Sequence, residues 1–561
     1  MPPPDLRARI VWFERIGVAL LLAAAAVPRA RDLFAPWDRE IEGWQGAFFT
    51  TGAINYERLG VGLLGGYPIV NIDLPPDPRA DSYTYPNHPP TVPLLTWASL
   101  QLFGPAGWNE AWRRGEAPPA GTETAARVPF LGLHLLGLLV LWWAVRQASG
   151  RQIAMLALAV AAATPVSALY ATLVNYENPF LFCILLGCGF HARFLRSGAR
   201  RDLLGTAGAF FLGSAVSFHP AFFVPPLVVQ TLGRRGWRDS LREGVATGFA
   251  ALVPLFLHGL WVRSAVSSAH GEAVTDRAAR MLQPLFSGAA PFPEWLRRQG
   301  IRLDYFLSTP ILIAASAGLF VLLWRAAAPR RDRDLGRPAG GRRECVSLGL
   351  PLLAGGFLAM LGFYRHTWDG EGVHGAQTIF LMNLAPAAAV LAATALDALS
   401  GPLLRLRGGI APLVLVASFV VLPGVLRTNE IRHRWRAPGP ADDPAEVGGP
   451  AYLLPKTAGE QIAEILPAGA IGFYPRDMGF TVAVAYYAWR TLLPVADEES
   501  YERALGVVIA MHGLEENPRY ILLPRHPPAG AEAQVDSIRA IVETVSKMEK
   551  ASAHWELWPV Q

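Results

Sequence analysis

Residues 127–146 read RVPFLGLHLLGLLVLWWAVR, an apolar run with one arginine at each end. A helix rises about 1.5 Å per residue, so a run of roughly 20 residues matches the approximately 30 Å hydrocarbon core of a bilayer. Apolar runs of similar length recur along the chain and are separated by short loops that carry arginine. The sequence therefore predicts an α-helical polytopic membrane protein.

The composition supports this prediction. Of the 561 residues, 52% are hydrophobic and only 17% are charged, whereas soluble chains have about 25% charged residues. Residues 427–561 hold 13 basic and 18 acidic residues, a net charge of −5, and residues 1–426 hold 37 and 27, a net charge of +10. The positive excess lies in loops between apolar runs, so membrane topology explains it and nucleic acid is not expected as a partner. The three cysteines have no spacing typical of a disulfide framework or a zinc site.

The positions of the arginines predict the topology. An uncleaved first span and a cytoplasmic amino terminus place every arginine-rich loop inside, as the positive-inside rule requires. The short loops on the opposite side lie near 173–177, 219 and 364–373. They carry a single arginine in total, Arg365. We therefore expect about 11 spans (10–13) and a carboxyl terminus outside. The predicted spans are 10–28, 127–146, 152–172, 178–194, 203–218, 220–233, 244–263, 304–325, 346–363, 374–398 and 408–426.

The remaining segments form the predicted outer parts: a large first loop at 29–126, a loop at 264–303 and a soluble domain at 427–561. Within the first loop, residues 88–104 are apolar but short and proline-rich, so we expect a helix along the interface. The last domain shows helical and strand-like patterns that predict an α/β fold. They comprise helices at 457–466, 480–489 and 532–548 and strands at 469–474 and 519–523.

Four polar segments fall on the predicted outer face, where ionisable groups close to the bilayer usually serve function. They are residues 37–46 (WDREIEGWQG), 85–90 (YPNHPP), 175–179 (NYENP) and 364–374 (YRHTWDGEGVH). In the first, Asp38 and Glu42 would share one face of a helix. Each segment also has a structural interpretation, as a charged juxtamembrane loop or a proline-rich helix entry. That interpretation is weakest for Glu177, because its loop between two apolar spans leaves little room for water.

The order of these segments resembles the GT-C superfamily of membrane glycosyltransferases, especially the protein O-mannosyltransferase and aminoarabinose transferase branch. The resemblance spans most of the chain and rests on the order of several short motifs. Members of this superfamily often show an Asp-Glu pair or an aspartate in the first loop, whereas here Asp38 lies four residues before Glu42. The matching motifs are an acid after the first span, His88-Pro89-Pro90, Ala126-Arg127-Val128-Pro129, residues 174–179 (VNYENP) and 218–223 (FHPAFF), and His374 before the span with 384–387 (LAPA).

The resemblance implies transfer of a sugar from a polyprenyl-phosphate-linked donor to an acceptor hydroxyl of a protein, lipid or glycan at the outer face. It places the protein in the cytoplasmic (inner) membrane of a bacterium. Glu42 or Asp38 would act as general base, and Glu177 would orient the acceptor or hold the sugar. A divalent metal at these acids is conceivable but is not expected. The implied phosphate-binding residues are His88, Arg127, Arg365 and His374, and the other implied cavity residues are Trp44, Gln45, Asn175, Tyr176 and His219.

Three other functions compete with this interpretation. A secondary transporter would show repeats and polar groups near the membrane midplane, whereas the acids here gather at one face. A non-catalytic membrane scaffold or subunit that presents the last domain to a partner stays open, because the first-loop acids depart from the usual pattern. An oligosaccharide ligase or polymerase would also use a lipid-linked sugar.

Overall fold

The computed structural model describes most of the membrane region and the elements of the last domain. The residues described are 4–37, 41–62, 66–69, 88–114, 116–265, 277–288, 291–327, 347–368, 378–405, 410–436, 455–475, 482–495, 500–501, 518–525, 532–545, 548, 550–551 and 555–560.

Up to residue 436, most of the described secondary structure is helical. Short 3₁₀ helices cover Ala111–Arg114, His219–Phe223 and Thr378–Asn383. The α-helices are α1 (Pro4–Leu33), α2 (Ile41–Leu59), α3 (Thr91–Phe103), α4 (Thr122–Ser149), α5 (Arg151–Ala163), α6 (Pro165–Leu169), α7 (Glu177–Ser197), α8 (Arg200–Ser214), α9 (Val224–Arg235), α10 (Trp237–Ala265), α11 (Arg277–Phe286), α12 (Phe292–Leu307), α13 (Thr309–Ala327), α14 (Gly349–Gly362), α15 (Tyr364–Trp368), α16 (Ala385–Arg405) and α17 (Ile410–Arg436).

Every predicted span coincides largely with helical structure. Among the described residues, α1, α4, α7 and α10 are long and apolar enough to cross a bilayer, and the bent pair α12–α13 would make a fifth span if it counts as one. The other spans correspond to shorter or interrupted helices, so the total of eleven stays a prediction. Helix α17 continues ten residues beyond its predicted end at 426.

Two of the interrupted spans show why the chain departs from a single straight helix. The span 152–172 breaks at Thr164, which is extended because Pro165 disfavours the helical conformation of the residue before it. The predicted start at 304 is wrong, because residues 304–307 end α12 and the chain bends by 111° before α13. Ser308 makes this corner with φ of 69°. Apolarity on both sides of the corner hides the break from the sequence pattern.

Helix α3 packs at the carboxyl-terminal end of α8 and the amino-terminal end of α4. Its 13 residues extend for about 20 Å, too little to cross the hydrocarbon core. The Thr91 hydroxyl donates to the Ala215 carbonyl just after α8, and the Ser99 hydroxyl donates to the Ala125 carbonyl in the first turn of α4, both at 2.6 Å. The arginine pattern places both of these helix ends outside. Helix α3 is therefore too short to be a span of its own, and its position along the interface stays a prediction.

A buried polar cluster ties α7, α9 and α10 together near their arginine-rich ends. His191 Nδ1 lies 2.6 Å from Glu243 Oε1, and neither side chain is exposed. The other ring nitrogen lies 2.9 Å from Gln230 Oε1, and the Thr231 hydroxyl donates to the second oxygen of Glu243. Each polar group here has a partner, so the cluster stabilises the packing of the three helices.

The last domain is the α/β fold that the sequence predicts, with a mixed sheet between helices. Its predicted helices and strands are all present within a few residues, and the sequence analysis missed the other three strands. The strand order is β2-β1-β3-β5-β4, in which β1 pairs in parallel with β2 and β3, and β5 pairs antiparallel with β3 and β4. The elements are α18 (Pro455–Ile465), β1 (Ile471–Pro475), α19 (Val482–Ala488), β2 (Thr491–Val495), β3 (Arg519–Pro524), α20 (Glu532–Val545), β4 (Lys550–Ala551) and β5 (Trp555–Val560).

Candidate functional site

The predicted outer-face residues of two separate segments meet around one aromatic contact. His88 stacks on Tyr176 with ring centroids 4.1 Å apart, and Phe49 of α2 meets the same tyrosine edge-on at 5.3 Å. Phe218, which precedes the 3₁₀ helix after α8, packs against His88 at 5.7 Å. The fold therefore brings His88 and Tyr176 together, although 87 residues separate them in the sequence.

Glu177 begins α7 directly beside this contact. The residue is only 3% exposed, and its Oε2 has no hydrogen-bond partner among the described residues. Asn175 is equally buried, and its Oδ1 also lacks a donor in the described part of the chain. A helix amino terminus favours a nearby carboxylate, but buried oxygens without donors are rare and call for an explanation. Two such oxygens offer acceptors for the hydroxyl groups of a ligand.

His219 lies in an aromatic stack. Its ring is sandwiched between Phe180, at 4.4 Å, and Phe363, at 4.6 Å, and its Nδ1 lies 2.8 Å from the Ser217 hydroxyl. The residue is 2% exposed, and its Nε2 lacks a partner within the described ranges. These contacts join α7 to the helices α14 and α15, so the visible role of His219 is packing.

Arg127 lies at the corner between α1 and α2. The guanidinium donates to the main-chain carbonyls of Leu33, Ala35 and Pro36, just after α1, and covers the ring of Trp37 at 4.0 Å. The side chain is almost completely buried. These contacts fix the chain that leads into the first-loop acids, and phosphate binding by Arg127 stays a prediction.

The first-loop acids are only partly visible. Asp38 lies outside the described residues, and Glu42 is the second residue of α2, with its side chain outside the described part. Trp44 is 39% exposed and stacks on Phe48 at 5.1 Å. Gln45 is half-buried, and its Oε1 lacks a donor among the residues that the structure describes.

The fourth polar segment is anchored by residues that the sequence analysis missed. In α12, the Trp295 indole donates to the Thr367 hydroxyl at 2.9 Å, and Gln299 and Arg302 donate to the Thr367 carbonyl at 2.8 and 2.5 Å. Arg365 in the same short helix is exposed, and His374 lies outside the described residues. The helical spacing of these three residues, at positions 295, 299 and 302, could have indicated one buried polar face.

A second cluster that was not predicted joins the carboxyl-terminal ends of α1 and α17. Arg432 pairs with Asp32 at 2.7 Å and donates to the Ala168 carbonyl at 3.2 Å. Arg29 donates to the carbonyls of Ala25 and Ala162, both at 2.8 Å. The sequence feature that could have indicated this cluster is the presence of arginine and aspartate at the end of an apolar run. Because these groups bind one another and main-chain carbonyls, they hold α1 against α5, α6 and α17.

Comparisons with known proteins agree with this architecture. Residues 120–261 match the model of a family described as dolichyl-phosphate-mannose-protein mannosyltransferase. The structure is similar to that of ArnT from Cupriavidus metallidurans in the apo state, with 16% identity, 98% of each chain covered and a TM-score of 0.53. It is also similar to the same protein bound to undecaprenyl phosphate, with 17% identity, 97% of each chain covered and a TM-score of 0.51.

The apo oligosaccharyltransferase of Archaeoglobus fulgidus is a further structural neighbour. The identity is 11%, the alignment covers 91% of this chain and 70% of that one, and the TM-score is 0.55. The comparison with curated protein sequences gives no match. At these identities the likenesses show the fold. The resemblance to the GT-C superfamily is confirmed at that level, and with it the prediction of a multi-pass membrane protein.

Proposed function

We propose that this chain is a membrane glycosyltransferase that moves a sugar from a polyprenyl-phosphate carrier to an acceptor hydroxyl. The reaction would take place at the outer face of a bacterial cytoplasmic membrane, with the amino terminus inside and the last domain outside. The GT-C fold and the family match support transfer of a lipid-linked sugar. The structural neighbour solved with undecaprenyl phosphate supports a polyprenyl carrier. The observation that carries the proposal is the buried Glu177, with an oxygen that has no donor in the described structure.

The chemistry requires a base, a positioned acceptor and cations at the leaving group. In the proposed reaction the acceptor oxygen attacks the anomeric carbon, and the bond from that carbon to the phosphate oxygen breaks. The polyprenyl phosphate leaves with the electron pair, while a carboxylate takes the proton of the acceptor. We assign this carboxylate to Glu42, in the first turn of α2, with Asp38 as the alternative.

Glu177 and Asn175 would accept hydrogen bonds from hydroxyl groups of the acceptor or the sugar. Both residues are 97% buried, so such bonds would form where little water competes. A group that positions a substrate within reach of the base lowers the entropic part of the barrier. We therefore give Glu177 a positioning role rather than the role of the base.

The leaving phosphate would be held by cationic groups of the outer face. His88 is half-buried against Tyr176, and Arg365 is exposed on α15. Together with His374 they can neutralise a phosphate through charge-assisted hydrogen bonds. Since this arrangement supplies positive charge by itself, we propose that the reaction does not require a metal ion.

The test follows the lipid-linked sugars themselves, which avoids a prior choice of donor or acceptor. Membranes with the wild-type chain or with Glu177→Gln, at matched expression, are incubated, and the polyprenyl-phosphate sugars are quantified by mass spectrometry. We expect one such lipid to be consumed with release of polyprenyl phosphate in the wild type, and more slowly in the variant. Equal lipid pools with and without the wild-type chain would overturn the proposal.

A further inference from the structure

The last domain reaches the corner between α1 and α2 through α19, where Tyr487 makes two hydrogen bonds. The Tyr487 hydroxyl accepts a hydrogen bond from the Trp37 main-chain N–H at 2.7 Å and donates one to Glu123 Oε1 at 3.0 Å. Tyr487 belongs to α19, which packs against α2, and Glu123 lies in the first turn of α4. The hydroxyl therefore joins the soluble domain to two elements of the membrane region.

These three groups are shielded from water. Trp37 is fully buried, Tyr487 is 4% exposed and Glu123 is 8% exposed. Burial, together with the Glu123 carboxylate beside it, holds the pKa of Tyr487 well above its usual value, so the hydroxyl keeps its proton. Hydrogen bonds in such a dry setting are stronger than at a wet surface, and a lost partner is correspondingly costly.

Trp37 also contacts α2, so a residue that fixes Trp37 restrains this helix as well. Its ring lies so close to Gly46 that a Cβ atom at that position would be 2.2 Å from the indole. Arg127 covers the ring of the same tryptophan and holds the carbonyls before it. The tryptophan is therefore fixed by Tyr487 at its main chain, by Arg127 on its ring and by Gly46 where it meets α2.

We propose that Tyr487 is a positioning residue of the active site: it docks the last domain onto Trp37 and so sets the amino-terminal end of α2, which carries Glu42. This inference rests on the proposed function, because Glu42 is there the favoured base. The soluble domain is then a working part of the catalytic centre and not a separate binding module. A base displaced by about 1 Å can cost up to about 100-fold in rate, even when the change is made far from the reacting atoms.

The test compares Tyr487→Phe with the wild type in the full-length chain. The variant keeps the ring and removes the hydroxyl. We expect turnover of the polyprenyl-phosphate sugar to fall about 10- to 100-fold, with binding of undecaprenyl phosphate within twofold of wild type. In hydrogen–deuterium exchange, the Trp37 amide should exchange faster because it loses its acceptor.

Two further variants separate positioning from general damage. Tyr520→Phe removes the same group from β3 of the same domain, and it should behave as wild type in all three measurements. Glu123→Gln keeps an oxygen that can accept from Tyr487 and should retain most of the turnover. Glu123→Ala removes that acceptor but leaves the hydroxyl that accepts from Trp37, so its turnover should fall between those of the wild type and Tyr487→Phe.

The outcomes distinguish this inference from the proposed function. Wild-type turnover in Tyr487→Phe would overturn the positioning role, and so would parallel losses of turnover, lipid binding and thermal stability. If the wild type itself consumes no lipid-linked sugar, the proposed function fails and the catalytic role of Tyr487 fails with it. The exchange of the Trp37 amide would then still show whether Tyr487 holds the corner.

Discussion

His88 stacks on Tyr176 at 4.1 Å, and this contact joins the entry to α3 with the residue that precedes Glu177. The ring planes are inclined by 29°, close enough to parallel for offset stacking. The imidazole is therefore held by its face against Tyr176, one residue before the buried Glu177.

Two substitutions at His88 test whether its charge or its ring matters. His88→Phe should keep the stack on Tyr176 but weaken binding of undecaprenyl phosphate about tenfold, because a charge-assisted hydrogen bond contributes roughly 1.5–3 kcal/mol. His88→Ala removes the stack as well and should also lower thermal stability. The affinity of each variant for undecaprenyl phosphate is measured by native mass spectrometry. Wild-type affinity in His88→Phe would remove this residue from the phosphate site.

Gly46 offers a test of the packing at the same corner. Gly46→Ala places a methyl group against the ring of Trp37 and should destabilise the fold by about 1–3 kcal/mol, the usual cost of overpacking. Gly62→Ala is the matched control, because no atom of the described residues lies within 4 Å of the position that its Cβ would take. Thermal unfolding in detergent compares them. Equal melting temperatures would contradict the close contact of Trp37 with α2.

The cluster around His191 should matter for stability and not for the reaction. His191→Leu removes a hydrogen-bond partner of the buried Glu243 side chain, which typically costs about 1–3 kcal/mol. Glu116→Gln breaks an exposed pair with Arg114, worth about 0–1 kcal/mol. Melting temperatures at matched purity compare the two variants. A similar melting temperature for both would show that the buried pair does not hold the three helices together.

Labelling from outside the cell tests the topology. Single cysteines at Ser197 and Arg337 should resist an impermeant thiol reagent in intact cells, and one at Asp497 should react. The native cysteines are replaced in this background. The reverse pattern would invert the orientation deduced from the arginines.

The sequence predicts most helices because apolar length and arginine position depend on local composition. It fails at Ser308, where the chain turns by 111° between the apolar last turn of α12, residues 305–307, and the apolar helix α13. The three missed strands are short or lie at the end of the chain, where alternation is weak. In each case the local sequence pattern is too weak to indicate the element, and we attribute its position to contacts with residues distant in the chain.

The candidate site is predicted less completely than the fold. Glu177 and His88 could be predicted as site residues because each lies beside an apolar run. The fold brings their two segments together. Burial of Arg127 on main-chain carbonyls could not be foreseen, because an arginine at a helix start has the same local sequence in either role. The contact of Tyr487 with Trp37 crosses 450 residues and has no sequence signal.

The most direct measurement is turnover of the polyprenyl-phosphate sugar by carboxylate variants at matched expression. Of Glu42→Gln, Asp38→Asn and Glu177→Gln, we expect the change at the base to cost about 10²–10⁴-fold, most for Glu42. Glu177→Gln should lose less, mainly through weaker acceptor binding. Glu460→Gln, in the exposed face of α18, should keep wild-type turnover. Wild-type turnover in all three outer-face variants would contradict catalysis at this site and favour a non-catalytic scaffold.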